Sequence, residues 1–513
     1  LILAVSIPFL ISQNTNSLYP GNHWLKYENP EAAGWSGKKL EQAKKLWEEC
    51  GSDAFMVIDD GVVVVAWGDV TRRYMCHSVR KSFLSALYGV FVGEGRIDTS
   101  ATIEDIGIDD KPPLTELEKS ARVADLLKSR SGVYHPAAYE TPSMKKRRPA
   151  RGSKKPGSFW YYNNWDFNAL GTIFRKATGI DLFEAFKQRI AGPIGMEDFR
   201  LMDCYYHLEA RHSIHPAYPF RMSARDMARF GLLYLRNGVW QGKRIVPAEW
   251  VKRSITPYSD VSYRKGWGYG FLWWIIKDRE NRKCGMYMAL GYGGHVIAVL
   301  PREKLVIVNR PNTYIGDTTP MDKFLELVDA LLDAKSSNSG GKGTGNRRGI
   351  GGIGGTEGTE RTVGWENTGD IEEVEGTAST GVGVSKAKPA GRARLIPLEA
   401  RPKDYNSMIN HSVPLEPYIA EFNLKEEETF RESVPYVIDD IIGNRVSFEM
   451  HGEKLLMRDT LGQRYFVVPL ARERFLIEDM EVPILFELDE SGKPVRLTID
   501  ARPGWLVSGE RTG

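Results

Sequence analysis

The chain has few cysteines for its length, and no two of them are spaced as in a metal-binding knuckle. Its 513 residues include only four, at Cys50, Cys76, Cys204 and Cys284. Without a CxxC pair, the sequence predicts neither a zinc knuckle nor a small domain held together by disulfides. The four side chains are predicted either to be buried thiols or to form two bridges.

The sequence also lacks an excess of charge of either sign. Lys and Arg total 69 and Asp and Glu total 66, which gives a formal net charge of +3. A nucleic-acid-binding protein presents a basic surface, so we expect no nucleic-acid partner. With 42% hydrophobic residues the chain is too apolar for wholesale disorder, and its length favours two folded units.

No stretch of the sequence is long and apolar enough to span a membrane. The apolar run at residues 1–11 is broken by Ser6 and Pro8 and is too short to cross a bilayer as a helix. Its length fits the hydrophobic part of an export signal. We therefore interpret residues 1–17 as a truncated signal segment and expect a periplasmic or secreted protein. A buried N-terminal strand is the alternative.

Composition divides the remainder of the chain into three parts. Residues 336–390 are rich in glycine and contain Trp365 as their one aromatic residue. Such a segment buries too little apolar surface to fold, so we interpret it as a flexible linker. Residues 391–513 alternate short apolar runs with turn signals, which predicts a small antiparallel β-barrel or sandwich. Residues 18–335 mix helical and strand patterns and predict an α+β or α/β unit.

Two hairpins near opposite ends of this unit predict its sheet. The first spans residues 54–67 and turns at Asp59-Asp60-Gly61, a strong hairpin signal. The second spans residues 295–308. A helical pattern between them begins at the capping residue Ser223 and ends at Gly238. The simplest assembly is a sheet built from both ends of the unit, with a helical region inserted between the hairpins.

A Ser-x-x-Lys tetrapeptide recurs along the chain, and its surroundings select one copy. The six copies begin at Ser36, Ser78, Ser143, Ser262, Ser339 and Ser385. Only Ser78-Val-Arg-Lys81 is followed by a long apolar run, residues 83–92, which fits a helix buried on most sides. The other copies precede a charged helix or lie in polar loop and linker sequence.

Lys81 follows Ser78 by three residues, so the two side chains share one face of a helix. A nucleophile and its base require this arrangement. A lysine acts as a base only when its pKa falls from its usual value of about 10.4. Burial and the positive end of the helix dipole both disfavour the ammonium form. The alternative interpretation is a helix-capping Ser78 and an exposed Lys81.

A second motif lies in the segment from Pro156 to Gly171. It contains two overlapping Tyr-x-Asn triplets, Tyr161/Asn163 and Tyr162/Asn164. With this segment the chain resembles the serine β-lactamase and penicillin-recognising superfamily, in its class C-like and esterase branch. The resemblance covers roughly residues 29–332. It implies a β-lactamase/transpeptidase-like α+β fold, and the spacing assigns the tyrosine of that family to Tyr162.

The resemblance also implies site residues and a mechanism. Ser78, Lys81 and Tyr162 are the implied catalytic residues, Asn164 is the implied substrate contact through its side-chain amide, and no metal or organic cofactor is implied. A phenol near a cationic lysine can serve as a phenolate base and then as an acid toward the leaving group. Tyr161 is expected to belong to a buried aromatic cluster.

The third element of that superfamily is a Lys or His followed by Ser or Thr and Gly on a strand beside the serine, and it has no match here. Gly291-Tyr-Gly-Gly294-His295 stands in its place and resembles the glycine-rich segment of related esterases and 6-aminohexanoate-dimer hydrolases. We expect Gly293, Gly294 and His295 to contact substrate. A backbone N–H within residues 293–296 is expected to pair with that of Ser78 as an oxyanion hole.

Several alternatives remain open at this point. His207, His212 and His215 suggest a metal site with Asp203 or Glu209, but their spacing fits no zinc signature, and a wall of the substrate pocket is expected instead. The sequence predicts a serine hydrolase that cleaves a small-molecule ester or amide through an acyl-enzyme. The alternatives are a DD-peptidase or β-lactamase, and a non-catalytic protein that binds peptidoglycan-like ligands.

Overall fold

The computed structural model describes residues 18–336, 393–398, 408–426, 444–460, 462–480, 482–502 and 505–512. The predicted signal segment and nearly all of the predicted linker lie outside these residues, so both remain predictions, as does export of the chain. Within the described residues, no helix is long and apolar enough to cross a membrane.

The α-helices that the structure describes within residues 18–336 follow in chain order. They are α1 Gly37–Glu48, α2 Arg80–Gly93, α3 Glu116–Lys119, α4 Val123–Leu127, α5 Pro142–Arg147, α6 Asn164–Thr178, α7 Leu182–Phe186, α8 Ala224–Leu235, α9 Ala248–Ser254 and α10 Met321–Ser336. Helix α2 is buried over nearly its whole length, as its apolar sequence predicts. Helix α8 begins after the predicted cap Ser223, whose side chain accepts a hydrogen bond from the Asp226 N–H.

Fourteen strands of the described chain precede the barrel described below. They are β1 Leu25–Tyr27, β2 Ala54–Asp59, β3 Val62–Gly68, β4 Tyr74–Met75, β5 Arg221–Met222, β6 Val239–Trp240, β7 Lys243–Arg244, β8 Ser259–Asp260, β9 Trp267–Tyr269, β10 Trp274–Ile276, β11 Tyr287–Gly291, β12 His295–Leu300, β13 Leu305–Arg310 and β14 Leu395–Pro397. Ten of them form one sheet in the order β14-β1-β3-β2-β13-β12-β11-β10-β9-β8.

Both predicted hairpins are confirmed, and they form the centre of this sheet. Strands β2 and β3 turn through Asp60 and Gly61, which both have positive φ. Strands β12 and β13 form the second hairpin, and β13 pairs antiparallel with β2. Helix α8 packs against these central strands, while α1 and α10 pack against each other. The sheet is antiparallel apart from the pair β1 and β3.

The C-terminal strands close into a barrel, which decides between the barrel and sandwich that the sequence left open. The strands are β15 Glu421–Glu426, β16 Arg445–His451, β17 Lys454–Asp459, β18 Arg464–Ala471, β19 Arg474–Ile477, β20 Val482–Leu488, β21 Pro494–Arg502 and β22 Trp505–Arg511. Their buried side chains include a cluster of aromatic rings. Strand β14, inside the range predicted for the β domain, pairs instead with β1 of the main sheet.

The barrel contacts the first unit through a group of charged side chains. Arg73 lies 3.4 Å from Asp203 of its own unit and 3.5 and 2.5 Å from Glu478 and Asp479 of the barrel. Next to them, the Asn312 side chain donates a hydrogen bond to the carbonyl of Met480. The barrel therefore packs against the loop that follows strand β13.

The cysteines are free thiols rather than two bridges, and the prediction of buried thiols is confirmed for three of the four. Cys50, Cys76 and Cys204 are buried, and Cys284 is partly exposed. Burial raises the pKa of each of the three buried thiols. These three side chains therefore stay protonated and fill space in the core.

Candidate active site

Ser78 lies in a short turn that leads into the buried helix α2. The turn is a 3-10 helix, His77–Val79. His77 has a positive φ of 46°, and its Nε2 lies 2.8 Å from the hydroxyl of Thr313. The helix-capping position belongs to Val79 rather than Ser78. The serine is partly exposed and lines a cavity, so a ligand in the cavity can reach it.

The Lys81 side chain is buried against this serine, with 2% of the residue exposed. Its Nζ lies 2.6 Å from Ser78 Oγ and 3.0 Å from Tyr162 OH. The rings of Tyr162 and Phe167 lie 4.8 and 4.6 Å from the nitrogen and exclude water. Burial, together with the neighbouring charge of Arg80, lowers the pKa of Lys81 well below its ordinary value. This shift favours the neutral amine, which is the form that can accept a proton from the hydroxyl.

Tyr162 is the third member of this hydrogen-bonded group. Its ring packs 5.2 Å from that of Trp274. Burial raises the pKa of Tyr162 above its ordinary value, although a hydrogen bond with Ser78 and the charge of Arg80 act against the rise. The Tyr162 side chain is therefore a neutral phenol at neutral pH. The raised pKa favours the phenol over the expected phenolate base, so Lys81 is better suited to take a proton and Tyr162 to give one; both roles stay predictions.

Asn164 begins helix α6 because the preceding asparagine caps it. The Asn163 side chain accepts a hydrogen bond from the N–H of Trp165. Asn164 lines the cavity, and its Nδ2 donates to the carbonyls of Ala138 and Tyr139 at 3.3 and 2.6 Å. Its Oδ1 is buried and has no hydrogen-bond partner within the described residues. A buried acceptor without a partner at a cavity wall suits the N–H of a substrate amide.

Strand β11 ends beside the turn that carries Ser78 and extends beyond its neighbour β10. The Ile276 N–H donates to the Met286 carbonyl at 2.9 Å, whereas the Met286 N–H donates to the Lys283 carbonyl at 2.9 Å. Met286 therefore directs its carbonyl toward β10. Alternate residues of a strand face the same neighbour, and Leu290 therefore does so as well. Strand β10 begins only at Trp274, level with Met288, so it leaves Leu290 uncovered.

If β10 continued in the same register, Leu272 would lie opposite Leu290. The backbone groups of Leu272 instead form hydrogen bonds with other residues. Its N–H donates to the Leu127 carbonyl at 3.2 Å, and its carbonyl accepts a hydrogen bond from the Ser82 hydroxyl at 2.8 Å. The register therefore directs the Leu290 N–H into the cavity, which Leu290 lines. With the N–H of Ser78, it offers two donors of the kind that stabilise an oxyanion.

Gly291 permits the close approach of β11 to the turn His77–Val79. A Cβ at this position would lie 2.6 Å from the carbonyl oxygen of Cys76 and 3.3 Å from the Cβ of His77. The φ of Gly291 is −121°, which any residue can adopt. The contact with the Cys76 backbone, rather than the backbone conformation, therefore requires glycine here.

The glycines after Gly291 and the following histidine differ in their access to the cavity. Gly293 and Gly294 line it, with positive φ of 76° and 97°. His295 is fully buried, and its ring packs 5.2 Å from that of His77. The expected contact between His295 and substrate is corrected accordingly, since a fully buried ring cannot reach a ligand. The sequence predicts the second N–H of the oxyanion hole within residues 293–296. The register of β11 favours the N–H of Leu290 instead.

These residues surround a cavity of about 500 Å³, a volume typical of small-molecule sites. Ser78, Tyr162 and Asn164 all line it. Two exposed aromatic residues, Tyr263 and Tyr292, lie at its rim. The cavity therefore offers a mostly apolar enclosure with the serine at its wall.

The predicted histidine group does not line this cavity. His207 stacks on Tyr139, with 4.6 Å between the ring centroids, and Tyr139 is the residue at the cavity wall. The Nδ1 of His212 lies 2.5 Å from a carboxylate oxygen of Glu209. The part of the chain that the structure describes holds no group of three His, Cys, Asp or Glu residues arranged for a metal ion.

The sequence profile of the beta-lactamase family matches residues 42–317, more than half of the chain. The chain belongs to the beta-lactamase family. Proteins of this family are serine hydrolases. The predicted fold class, β-lactamase/transpeptidase-like followed by an all-β domain, is confirmed.

Individual relatives of this beta-lactamase family member are distant. An uncharacterized protein of Alkalihalophilus pseudofirmus is 27% identical over 101 residues, which are 18% of this chain and 30% of that protein. The chain thus spans less than a third of this curated relative. A D-stereospecific amidohydrolase from Streptomyces sp. is 16% identical with a TM-score of 0.44, and the match covers 57% of this chain and 98% of that one. An octameric penicillin-binding protein homologue from Pyrococcus abyssi is 15% identical with a TM-score of 0.43, over 92% and 99% of the two chains.

Proposed function

We propose that this protein hydrolyses an ester or amide through an acyl-enzyme on Ser78. The single observation that carries the proposal is the buried Lys81 amine, 2.6 Å from Ser78 Oγ. A neutral amine at this distance accepts the hydroxyl proton as Oγ bonds to the substrate carbonyl carbon. A lysine exposed at the surface would be charged at neutral pH and could not act this way.

The tetrahedral intermediate carries a negative charge on the former carbonyl oxygen. The N–H groups of Ser78 and Leu290 are the donors that would hold this oxygen, and both belong to rigid backbone that needs no reorganisation. Tyr162 then gives its phenol proton to the departing oxygen or nitrogen. The Lys81 ammonium returns a proton to the phenolate, which restores the neutral pair.

Hydrolysis of the acyl-enzyme repeats these steps with water as the nucleophile. Water loses a proton to the base as it attacks the ester carbonyl, and the Ser78 oxygen regains a proton as it departs. The product acid leaves, and the free serine is restored. Asn164 supports an amide in the substrate, because its Oδ1 can accept an N–H that no described protein group satisfies.

The test compares hydrolysis of p-nitrophenyl acetate by the wild type and by Ser78→Ala. We expect turnover by the wild type and none above background by the variant. Ser262→Ala is the matched control, because Ser262 is exposed and begins another Ser-x-x-Lys tetrapeptide; it should retain the wild-type rate. An active Ser78→Ala protein would contradict the proposal.

The same assay with benzylpenicillin tests the alternatives that the sequence leaves open. Suppose that benzylpenicillin is hydrolysed, or forms a lasting adduct, faster than any simple ester or amide reacts. That result would identify the protein as a β-lactamase or DD-peptidase. Binding of peptidoglycan fragments by folded protein with no turnover of any acyl substrate would favour the binding-protein interpretation.

A further inference from the structure

Arg80 is a buried guanidinium group at the wall of the cavity. Only 3% of the residue is exposed, and it lines the cavity next to Ser78 on helix α2. A guanidinium keeps its charge in proteins. Taking such a charge out of water is costly unless an opposite charge compensates it.

The protein supplies little of that compensation. The two terminal nitrogens of Arg80 are each 3.4 Å from neutral acceptors, the His77 carbonyl and the Asn168 side-chain oxygen, and Nε has no hydrogen-bond partner among the described residues. The Tyr218 ring lies 4.8 Å from the guanidinium carbon. Within the described chain, no carboxylate lies within ion-pair distance of Arg80.

A second buried arginine, Arg310, offers a comparison, and its Nε likewise has no hydrogen-bond partner among the described residues. Arg310 is also fully buried and has no carboxylate partner, but one of its nitrogens lies 2.7 Å from the Tyr74 carbonyl and near that of Met75. It does not line the cavity. Arg80 differs in both respects, because its hydrogen bonds are long and it lies where a ligand can approach.

The other charges around the cavity have the same sign. Arg147 and Arg264 also line it, and no aspartate or glutamate is among the described lining residues. His77, which lines it as well, is uncharged at neutral pH because burial lowers its pKa to about 3. The rim arginines therefore attract anions from solution, and Arg80 lies in the wall beyond them.

We propose that the substrate carries a carboxylate, and that Arg80 binds it in a hydrogen-bonded ion pair. This inference rests on the proposed function of the same cavity. The cation comes from the helix that bears the nucleophile, two residues after Ser78, and not from a strand beside it. Planar guanidinium groups bind carboxylates through two parallel hydrogen bonds, and the long hydrogen bonds of Arg80 are readily exchanged for these.

The first test measures binding without turnover. Adipate and its neutral isostere adipamide are titrated calorimetrically into Ser78→Ala protein at 0.15 M salt. We expect adipate to bind about tenfold or more tightly than adipamide. This preference should disappear in Ser78→Ala/Arg80→Gln and should survive in part in Ser78→Ala/Arg80→Lys, which keeps the charge but loses the planar geometry.

The matched control removes one positive charge outside the cavity. Lys155 is exposed and does not line the cavity, so Ser78→Ala/Lys155→Gln should keep the preference within about twofold at this salt concentration. Equal affinity for adipate and adipamide would overturn the inference. A preference that Arg80→Gln leaves unchanged would overturn it as well.

The second test separates this inference from the proposed function. The p-nitrophenyl monoesters of adipic, pimelic and suberic acid are each compared with the ester bearing a terminal amide. Within each pair, kcat/KM for the carboxylate ester is divided by kcat/KM for the amide ester, so that any effect of Arg80→Gln on Lys81 cancels. The variant should lower this ratio about tenfold or more. Turnover of the amide-bearing esters without a carboxylate preference would overturn this inference and leave the proposed function standing. With no turnover of either ester the proposed function fails, and the calorimetry still decides the role of Arg80.

Discussion

The Lys81 amine lies 2.6 Å from the Ser78 oxygen and inside the protein. The three-residue spacing brings the two groups to one face of the helix, and the surrounding aromatic rings remove water from the amine. Proximity and desolvation are together the two conditions that the proposed role of Lys81 as a base requires. Either condition alone would leave an ordinary surface lysine or an isolated buried one.

The state of Lys81 can be read from the pH dependence of kcat/KM for a neutral ester. The base must be unprotonated, so the rate rises with pH through the pKa of Lys81. Because burial and Arg80 lower that pKa, we expect the rise to be complete well below the usual lysine value of about 10.4. Arg80→Gln removes a like charge and should shift the midpoint upward. A midpoint near 10.4 in the wild type would contradict a lysine base.

Lys81→Ala and Tyr162→Phe test whether the two groups act as one unit. Each substitution should lower kcat by about 10²- to 10⁴-fold, as expected for loss of a proton-transfer group. The double variant should be little slower than the worse single variant, because one broken proton path makes the other residue ineffective. Pre-steady-state acylation rates measure this directly. Fully multiplicative losses would show independent roles.

The Leu290 N–H can be removed by proline with little cost to the sheet. In the register described, this N–H faces away from β12, so proline breaks no hydrogen bond of the β11–β12 pair. We expect Leu290→Pro to lower kcat by about 10²- to 10³-fold, as loss of an oxyanion donor does. Leu290→Ala keeps the N–H and should stay near wild type. Equal rates for the two variants would place the donor elsewhere.

The parts of the site that the sequence predicts depend on local spacing. Ser78 and Lys81 share a turn of helix, so their meeting needs no knowledge of the fold. The choice between two adjacent tyrosines rests on the family spacing, and the structure agrees with it: Tyr161 donates to the Met144 carbonyl, whereas Tyr162 reaches Lys81. The central hairpins are likewise local, since turn residues and alternating apolar residues specify both.

The parts that it misses depend on contacts between distant segments. The Leu290 N–H is free to face the cavity only because β10 starts at Trp274 and does not extend far enough to pair with Leu290. The burial of His295 follows from which face of β12 meets the core, and a run of apolar residues on both faces does not reveal it. Strand β14 pairs with β1 across more than 300 residues, and three residues carry too little pattern to predict this.

Arg73 should be important for holding the barrel against the first unit. It is the shared partner of Asp203, Glu478 and Asp479, all largely buried. Arg200 also pairs with these three carboxylates, so Arg73→Met removes one of two compensating arginines. The substitution should lower the free energy of unfolding in urea by about 2 kcal/mol. Arg458→Met is the matched control, because the pair Arg458–Glu449 is exposed and contributes less than about 1 kcal/mol. Equal losses in the two variants would contradict a structural role for the buried group.

His77 should make the protein sensitive to acid. Burial lowers its pKa to about 3, whereas the unfolded chain takes up this proton near pH 6.5. The stability that depends on the neutral ring is therefore fully present above pH 6.5 and is lost as pH falls toward 3, by up to about 1.4 kcal/mol per pH unit. His77→Asn tolerates the positive φ and should flatten this loss between pH 6 and 4.5. Parallel slopes of unfolding free energy against pH would contradict the assignment.

The central claim is that Ser78 forms the acyl-enzyme, and intact-mass spectrometry tests it most directly. Wild type, Ser78→Ala and Ser262→Ala are incubated with a fluorophosphonate, and the adduct is located by peptide mapping. We expect a single adduct on Ser78 in the wild type and in Ser262→Ala, and no adduct in Ser78→Ala. An adduct on folded Ser78→Ala protein, or a wild-type adduct on another residue, would contradict the account.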